Sequence, residues 1–229
     1  MTLKEMIYHR KSCRSFTGKP VDAEMIEKIL SFEPKPLYPE IKVRMDIVPR
    51  SQVKCICPWT TPQVIAIYSE ETEGYLENIG FLFQQMDLYL QTLGLGVCWL
   101  GMGRMNPKTA PGVADMKFVI MLAFGHPKGS QLRHDLKGFK RKSMEQITDM
   151  SDPGLEPARL APSAVNSQPW FFTHEGNTIH VYCAKKGSRL DIGIALAHLY
   201  VANEASFRFL RVETPQKLPD HVYIGSVTL

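Results

Sequence analysis

Three short segments carry side chains suited to binding a charged or planar ligand. The first is Arg10-Lys11-Ser12-Cys13-Arg14, which places three cations and a hydroxyl within five residues. Guanidinium and ammonium groups together with a hydroxyl donor can cradle a phosphate. Cations at the C-terminal end of a helix also complement the helix dipole. Taken alone, this cluster therefore indicates either a phosphate site or a solvated helix end.

The second segment covers residues 161–170 and consists of small and polar residues with two prolines, Pro162 and Pro169. Small side chains let the backbone approach a flat ring closely. Asn166 and Gln168 offer paired donors and acceptors to an amide-like ring edge. An ordinary turn capped by Ser or Asn is the alternative, but the length and polar density of the motif favour a ligand.

The third segment, residues 94–101, contains three glycines: Gly94, Gly96 and Gly101. These glycines follow a predicted helix, so the strand, glycine-rich turn and helix order of a dinucleotide-binding motif is missing. The segment either brings backbone N–H groups against a ligand or simply ends the helix and begins a buried strand.

Hydrophobic periodicity and capping residues predict the elements that position these segments. Thr2 with Glu5 forms a capping box for a first helix, and Asp22 caps a second one. Residues 148–158, rich in Asp, Pro and Gly, are predicted to be a linker. The remaining predictions are strands at 41–47, 64–68, 118–124 and 221–227, a hairpin of 170–173 with 178–182, and helices at 73–93 and 191–205.

The two longest predicted helices resemble each other. Asn78-Ile79-Gly80-Phe81-Leu82 is similar to the segment 191–195, about half the chain later, and the flanking elements repeat in the same order. The pattern indicates two related halves, sharing one sheet or two adjacent ones, although chance similarity of two core helices is nearly as good an explanation.

Composition argues against several classes of function. The net charge of +4, without a basic stripe interleaved with aromatic residues, argues against a nucleic-acid partner. No apolar stretch approaches the roughly 18 residues of a membrane span. The five scattered cysteines are typical of free thiols in a cytoplasmic protein. Cys55 and Cys57 lack the partner pair of a zinc site, and His126 and His134 lack a convergent ligand set, so no metal is expected.

Taken together, the three segments resemble the nitroreductase family of FMN-dependent oxidoreductases, and most of the chain takes part in the resemblance. The stretch Ala-Pro-Ser-x-x-Asn-x-Gln-Pro-Trp at 161–170 is the most specific part. Family members typically place it early, soon after an Arg-x-Ser-x-Arg motif. Here the early position holds Lys35-Pro36-Leu37-Tyr38-Pro39, and the motif lies in the second half. This order resembles the TM-nitroreductase subgroup, in which one chain mimics the homodimer of the family as a pseudo-dimer.

The resemblance implies an α+β, nitroreductase-like fold of two pseudo-repeated halves, with central antiparallel or mixed sheets packed by helices. Residues 1–147 would form the half on the FMN phosphate side, and residues 148–229 the half that carries the ring-contacting loop, in one compact unit. One FMN site per chain would be assembled between the halves. The protein would be a monomer or a homodimer.

The resemblance also implies roles for individual residues. The phosphate, ribityl chain and pyrimidine edge of FMN would be contacted by Arg10, Lys11, Ser12 and Arg14, with Arg14 near N1 and O2 of the ring. The Leu100-Gly101 peptide would lie by N5. One of the three residues 140–142 would contact the phosphate, unless they form a solvated basic patch. These three are Lys140, Arg141 and Lys142, and the ring-lining residues would be Pro162, Ser163, Ala164, Asn166 and Gln168.

The activity implied by the resemblance is transfer of hydride from NADH or NADPH to the flavin, followed by reduction of a small electrophilic acceptor such as a nitroaromatic or a quinone. The flavin performs the chemistry, and no side chain is expected to be catalytic. Alternatives are relatives that dehalogenate aromatic rings or fragment the flavin, a flavin-binding or storage protein without turnover, and a scaffold that has lost FMN. The intact residues Arg10, Ser12, Arg14 and Asn166 argue against the last.

Overall fold

The computed structural model describes residues 1–57, 59, 61–108, 115–130, 132–213 and 216–229. The chain divides into two compact units. The first unit comprises Met1–Tyr75 and Met86–His134, and the second comprises Leu76–Gln85 and Asp135–Leu229. Compared with the expected halves, residues 76–85 and 135–147 pack with the second unit. The functional division at residue 147 stays a prediction.

The described residues form five α-helices and ten strands, and the hydrophobic pattern predicted the longer ones to within a few residues. In chain order they are α1 (Leu3–His9), α2 (Ala23–Leu30), β1 (Val43–Pro49), β2 (Val53–Lys54), β3 (Gln63–Ser69), α3 (Tyr75–Thr92), β4 (Gly96–Leu100), β5 (Arg104–Met105), β6 (Lys117–Gly125), α4 (Glu156–Leu160), β7 (Trp170–Glu175), β8 (Thr178–Ala184), α5 (Arg189–Ala202), β9 (Arg208–Leu210) and β10 (His221–Thr228).

Both predicted helix starts in the first unit are confirmed. The Thr2 hydroxyl accepts the Glu5 N–H at 3.2 Å, and the Glu5 carboxylate accepts the Thr2 N–H at 2.8 Å. Asp22 accepts the N–H of Met25 at 2.9 Å at the start of α2. These contacts satisfy N–H groups that a helix leaves without partners at its first turn.

The strands of the two main sheets are connected in the same order. In the first unit the strand order is β1-β3-β6-β4, and in the second it is β7-β8-β10-β9. Every strand pair in both sheets is antiparallel. In each sheet a long helix, α3 or α5, leads from the second strand of the order to the strand at the far edge. The same order of elements in both units is what a duplicated ancestral unit would produce.

Helix α5 packs against the middle of α3 at two glycines of the second unit. A Cβ added at Gly80 would lie 2.0 Å from the carbonyl oxygen of Leu190, and one added at Gly193 would lie 2.0 Å from that of Glu77. Gly80 and Gly193 are also the residues that coincide when the two similar helix segments are aligned. The contact is therefore reciprocal, with each glycine facing the residue three positions before the other, as in an interface with two-fold symmetry.

The predicted linker at 148–158 is wrong. A short 3-10 turn, Pro153–Leu155, runs directly into α4, and Leu155, Ala158 and Leu160 are fully buried. The buried ring of His198 on α5 contacts the Pro157 carbonyl oxygen through Nδ1 at 2.9 Å, which ties α4 to α5. The Asp, Pro and Gly content suggested a linker. Composition alone does not show which of the neighbouring apolar side chains become buried in the core.

We predict that Gly193→Ala and Gly80→Ala each destabilise the protein by about 1–3 kcal/mol or more, because the new methyl group meets backbone that cannot rotate away. Helix propensity alone predicts that the same changes raise the free energy of unfolding by about 1 kcal/mol. The sign of the measured change therefore distinguishes steric clash from helix propensity. Urea unfolding of wild type and of the two variants measures these changes in the free energy of unfolding.

Gly101→Ala is the matched control, since a Cβ there would meet no atom within 4 Å. Its free energy of unfolding should stay within about 0.5 kcal/mol of wild type. A Gly193→Ala protein as stable as this control would contradict the tight helix contact.

Candidate functional site

The cationic segment of the first unit lies along the edge strand β4. Ser12 forms a parallel bridge with Val97, and the Cys13 N–H donates to the Val97 carbonyl oxygen at 2.8 Å. Gly96 permits this approach, because a Cβ there would lie 2.5 Å from the Cys13 sulfur. The segment is therefore fixed in an extended conformation rather than frayed from the end of α1.

The Arg10 guanidinium forms a buried ion pair with Asp87 on α3. Nε donates to Oδ1 at 3.0 Å and Nη2 to Oδ2 at 3.3 Å, while Nη2 also lies 3.5 Å from the Ser12 hydroxyl. The exposed fractions of the two side chains are 2% and 0%. This geometry gives Arg10 a role in positioning Ser12, and its predicted contact with a phosphate stays a prediction.

Gln91, one helical turn after Asp87, links Asp87 to the backbone of the cationic segment. Its Nε2 donates to Asp87 Oδ1 at 2.7 Å, and its Oε1 accepts the Lys11 N–H at 3.1 Å. The side chains of Lys11 and Arg14 are exposed, and within the described parts of the chain neither forms an ion pair. The network thus holds the backbone in place and leaves two cations available at the surface.

The end of β4 lies in the same unit. The Leu100 side chain is buried and Gly101 is exposed, with open space where a side chain would project. Burial raises the pKa of the nearby Cys98 thiol to about 11, although the positive charges of Arg14 and Arg10 oppose the shift. Cys98 therefore stays a protonated, unreactive thiol at neutral pH.

The small-residue loop of the second unit has an unusual backbone. Val165, Asn166 and Gln168 adopt φ of 47°, 59° and 47°, in the left-handed region that residues other than glycine rarely occupy. The Val165 side chain is 99% exposed. A β-branched residue held at positive φ at an exposed tip costs conformational energy, and such strain concentrates at ligand sites.

Arg141 holds this loop from one side. Its Nε and Nη2 donate to the Leu160 carbonyl oxygen at 3.3 and 3.2 Å, and its Nη1 donates to Asn166 Oδ1. The other end of the Asn166 amide donates to the Lys140 carbonyl oxygen at 2.6 Å. The Asn166 side chain, predicted to face a ring, is thus engaged with the protein itself.

Lys142 holds the other end of the loop through Gln168. Its N–H donates to Gln168 Oε1 at 2.8 Å, and its Nζ donates to the Gln168 carbonyl oxygen at 2.9 Å. The Gln168 N–H donates to the Ser163 hydroxyl at 2.9 Å. Arg141 and Lys142 are therefore used internally, whereas the Lys140 side chain is exposed. A phosphate contact by one of these three residues stays a prediction.

Pro162 and Ala164 complete the predicted set: the ring of Pro162 is buried under the loop, and Ala164 is exposed beside Val165. The Ala164 N–H donates to a carboxylate that sequence reasoning missed, that of Asp191 in the first turn of α5. Asp191 carries no sequence signal of this role, because an acidic residue in a first turn is ordinarily explained by the helix dipole.

An α+β fold of two antiparallel sheets, each with one long helix in the connection to its far-edge strand, together with these two supported segments, places the chain among the nitroreductase-fold proteins. The sequence profile of a family described as "Putative TM nitroreductase" matches residues 2–203. The chain belongs to this family, which confirms the resemblance and the fold inferred from the sequence.

A solved structure agrees on the fold. "A putative nitroreductase" from Thermotoga maritima matches 100% of this chain and 94% of its own, with 22% identity and a TM-score of 0.69. More distant matches are a "Putative NADH Oxidase" from Clostridium acetobutylicum (19% identity, 64% of this chain and 99% of its own, TM-score 0.48) and an "FMN-dependent Nitroreductase" from Clostridium difficile (17%, 61% and 98%, 0.42). Among curated proteins, none matches.

The described residues contain neither a membrane-spanning helix nor a metal-binding cluster. No helix among them is both long and apolar enough to cross a membrane. No group of three or more His, Cys, Asp or Glu side chains in the same parts of the chain is arranged to hold a metal ion.

We predict that Asp87→Ala destabilises the protein by about 3–5 kcal/mol, because it leaves the Arg10 guanidinium buried without its counter-charge. The double variant Arg10→Met with Asp87→Leu should recover most of this loss, since apolar side chains can replace a buried ion pair. Thermal unfolding of the three proteins measures the effect. Equal destabilisation by the single and double variants would show that the pair is not a unit.

Proposed function

We propose that this protein is an FMN-dependent oxidoreductase that takes electrons from NADH or NADPH and passes them to a small electrophilic acceptor, such as a nitroaromatic or a quinone. Membership of the nitroreductase family supports the oxidoreductase class. The observation that carries the finer proposal is the strained loop at 163–168, which the protein holds with several internal hydrogen bonds while exposing its tip.

The cationic segment of the first unit fits a phosphate ester. Lys11 and Arg14 are exposed cations next to the half-buried Ser12 hydroxyl, and the Lys11 backbone N–H is held by Gln91, which Asp87 orients. A backbone that is already ordered loses little further entropy when the segment binds a phosphate. In the second unit, Lys140 is the residue of 140–142 whose charge is free to serve the same purpose.

Two backbone features fit a planar ring. Open space above Gly101 would let a ring approach the Leu100-Gly101 peptide, whose N–H could donate to a ring nitrogen. The exposed Ala164 and Val165 offer a small apolar surface of fixed shape. Both features consist of backbone and small side chains without ionisable groups. They therefore suit contact with a planar ring better than acid–base catalysis.

Bound FMN would supply the hydride chemistry that protein side chains cannot perform. The protein would bind the cofactor, orient it and favour its reduced form. Arg14 would place a positive charge where the reduced ring gains negative charge, and the backbone N–H near Gly101 would hold the ring nitrogen. Cys98 is protonated at neutral pH, so it would not compete as a nucleophile.

We predict that the purified apoprotein binds added FMN with a shifted visible spectrum, and that anaerobic NADH or NADPH bleaches the bound flavin. Lys11→Gln should weaken FMN binding by about tenfold or more, since a hydrogen bond to a charged group contributes about 1.5–3 kcal/mol. Lys4→Gln, an exposed lysine of α1, is the matched control and should leave binding unchanged.

Bound FMN that stays oxidised with both nucleotides would favour a flavin-storage role over the proposed activity. Failure to bind FMN at all would contradict both, and equal weakening by the Lys11 and Lys4 variants would remove Lys11 from the site.

A further inference from the structure

The loop at 163–168 needs a restraint, because three of its residues occupy the left-handed region without being glycine. Relaxation of Val165 to an ordinary conformation would be favourable by itself. Arg141 and Lys142 restrain the Asn166 and Gln168 side chains. The remaining restraint acts on the backbone at the tip, and it comes from Asp191.

Asp191 is only 2% exposed and faces the loop with both carboxylate oxygens. Each oxygen lies 3.2 Å from the Ala164 nitrogen. Among the described residues, no cation forms an ion pair with Asp191. Arg189, one half-turn away on α5, is engaged with Glu77 at 3.2 Å. The carboxylate is thus buried and accepts the Ala164 N–H of the loop.

We propose that Asp191 is the positioning residue of this loop: its ionised carboxylate holds the Ala164 N–H, and protonation loosens the tip. The consequence for ligand binding rests on the proposed FMN function, whereas the effect on the loop does not.

The reason lies in what each protonation state can accept. An ionised carboxylate makes charge-assisted hydrogen bonds, which are about twice as strong as neutral ones. After protonation one oxygen becomes a donor, so the Ala164 N–H keeps only a neutral acceptor. Burial raises the Asp191 pKa to about 6, with the Ala164 and Ser167 donors opposing the shift. The change therefore falls between pH 7.5 and pH 5.

Global stability should move in the opposite direction. Because the folded-state pKa is raised, the folded protein binds more protons than the unfolded chain between about pH 4 and pH 6, so the Asp191 contribution to stability falls as pH rises through this window. If Asp191 served only the stability of the fold, its protonation would lower the order of the loop and the free energy of unfolding together. Opposite trends are the signature of a group kept buried and charged for positioning.

Few other ionisable groups lie close enough to Asp191 to contribute to the pH dependence of the loop. The Cys183 thiol on β8 is electrostatically coupled to Asp191, Glu77 and Arg189, and burial raises its pKa to about 11, far above the window. Burial also raises the pKa of Glu77, but its carboxylate contacts Arg189 and not the loop. Comparison of wild type with Asp191→Asn cancels contributions from histidines and from the FMN phosphate.

The first test uses the protein without added ligand. Hydrogen exchange of the Ala164 amide, expressed as a protection factor, is measured at pH 7.5 and pH 5.0 in wild type, Asp191→Asn and the exposed control Asp220→Asn, alongside thermal unfolding. We expect wild-type protection to fall about tenfold between the two pH values, and Asp191→Asn protection to be low at both. Asp191→Asn should unfold at the same temperature as wild type or higher at pH 7.5.

The second test measures FMN affinity of the same proteins. Asp191→Asn should bind about tenfold more weakly than wild type at pH 7.5, with the ratio approaching one at pH 5.0. Unchanged Ala164 protection in Asp191→Asn, or a loss paralleled by global destabilisation, would overturn the positioning role. A lowered protection factor together with no FMN binding by any variant would instead support the positioning role and contradict the proposed function.

Discussion

The close contact of α3 with α5 is the constraint on which the other features depend. Backbone meets backbone at Gly80 and Gly193, and no other residue type fits at either position without displacement. Each helix also carries a buried carboxylate that supports one candidate segment: Asp87 on α3 orders the cationic segment through Arg10, and Asp191 on α5 orders the small-residue loop. Each core helix therefore supports a candidate binding segment as well as the packing of the core.

The two units repeat one connectivity but carry different candidate binding segments. Both sheets have the same strand order, and the helices occupy the same place in each connectivity. Yet the first copy carries the Arg-x-Ser-x-Arg segment, and the second carries the Pro-Ser loop. We infer that each copy kept one part of the ligand-binding residues after duplication. On this inference the second copy kept the ancestral loop, and residues 35–39 stand where the first copy lost it.

Sequence reasoning reached the parts of this structure that depend on local pattern. The capping box of Thr2 and Glu5, the long helix and the hairpin at 170–184 follow from residues close together in the chain. It missed the burial of Arg10 against Asp87 and the role of Asp191, because both depend on partners brought together by the fold. The family motif identified the loop but could not show that its polar side chains would bond to residues 140–142.

The number of FMN molecules bound per chain tests the central claim most directly. It can be measured from the flavin absorbance and protein concentration after saturation with FMN and removal of the excess. If each copy kept only one of the two binding segments, the ratio is one per chain. A ratio near two would mean that each copy still holds a complete site, and a ratio near zero would mean that the duplicated scaffold no longer binds the cofactor.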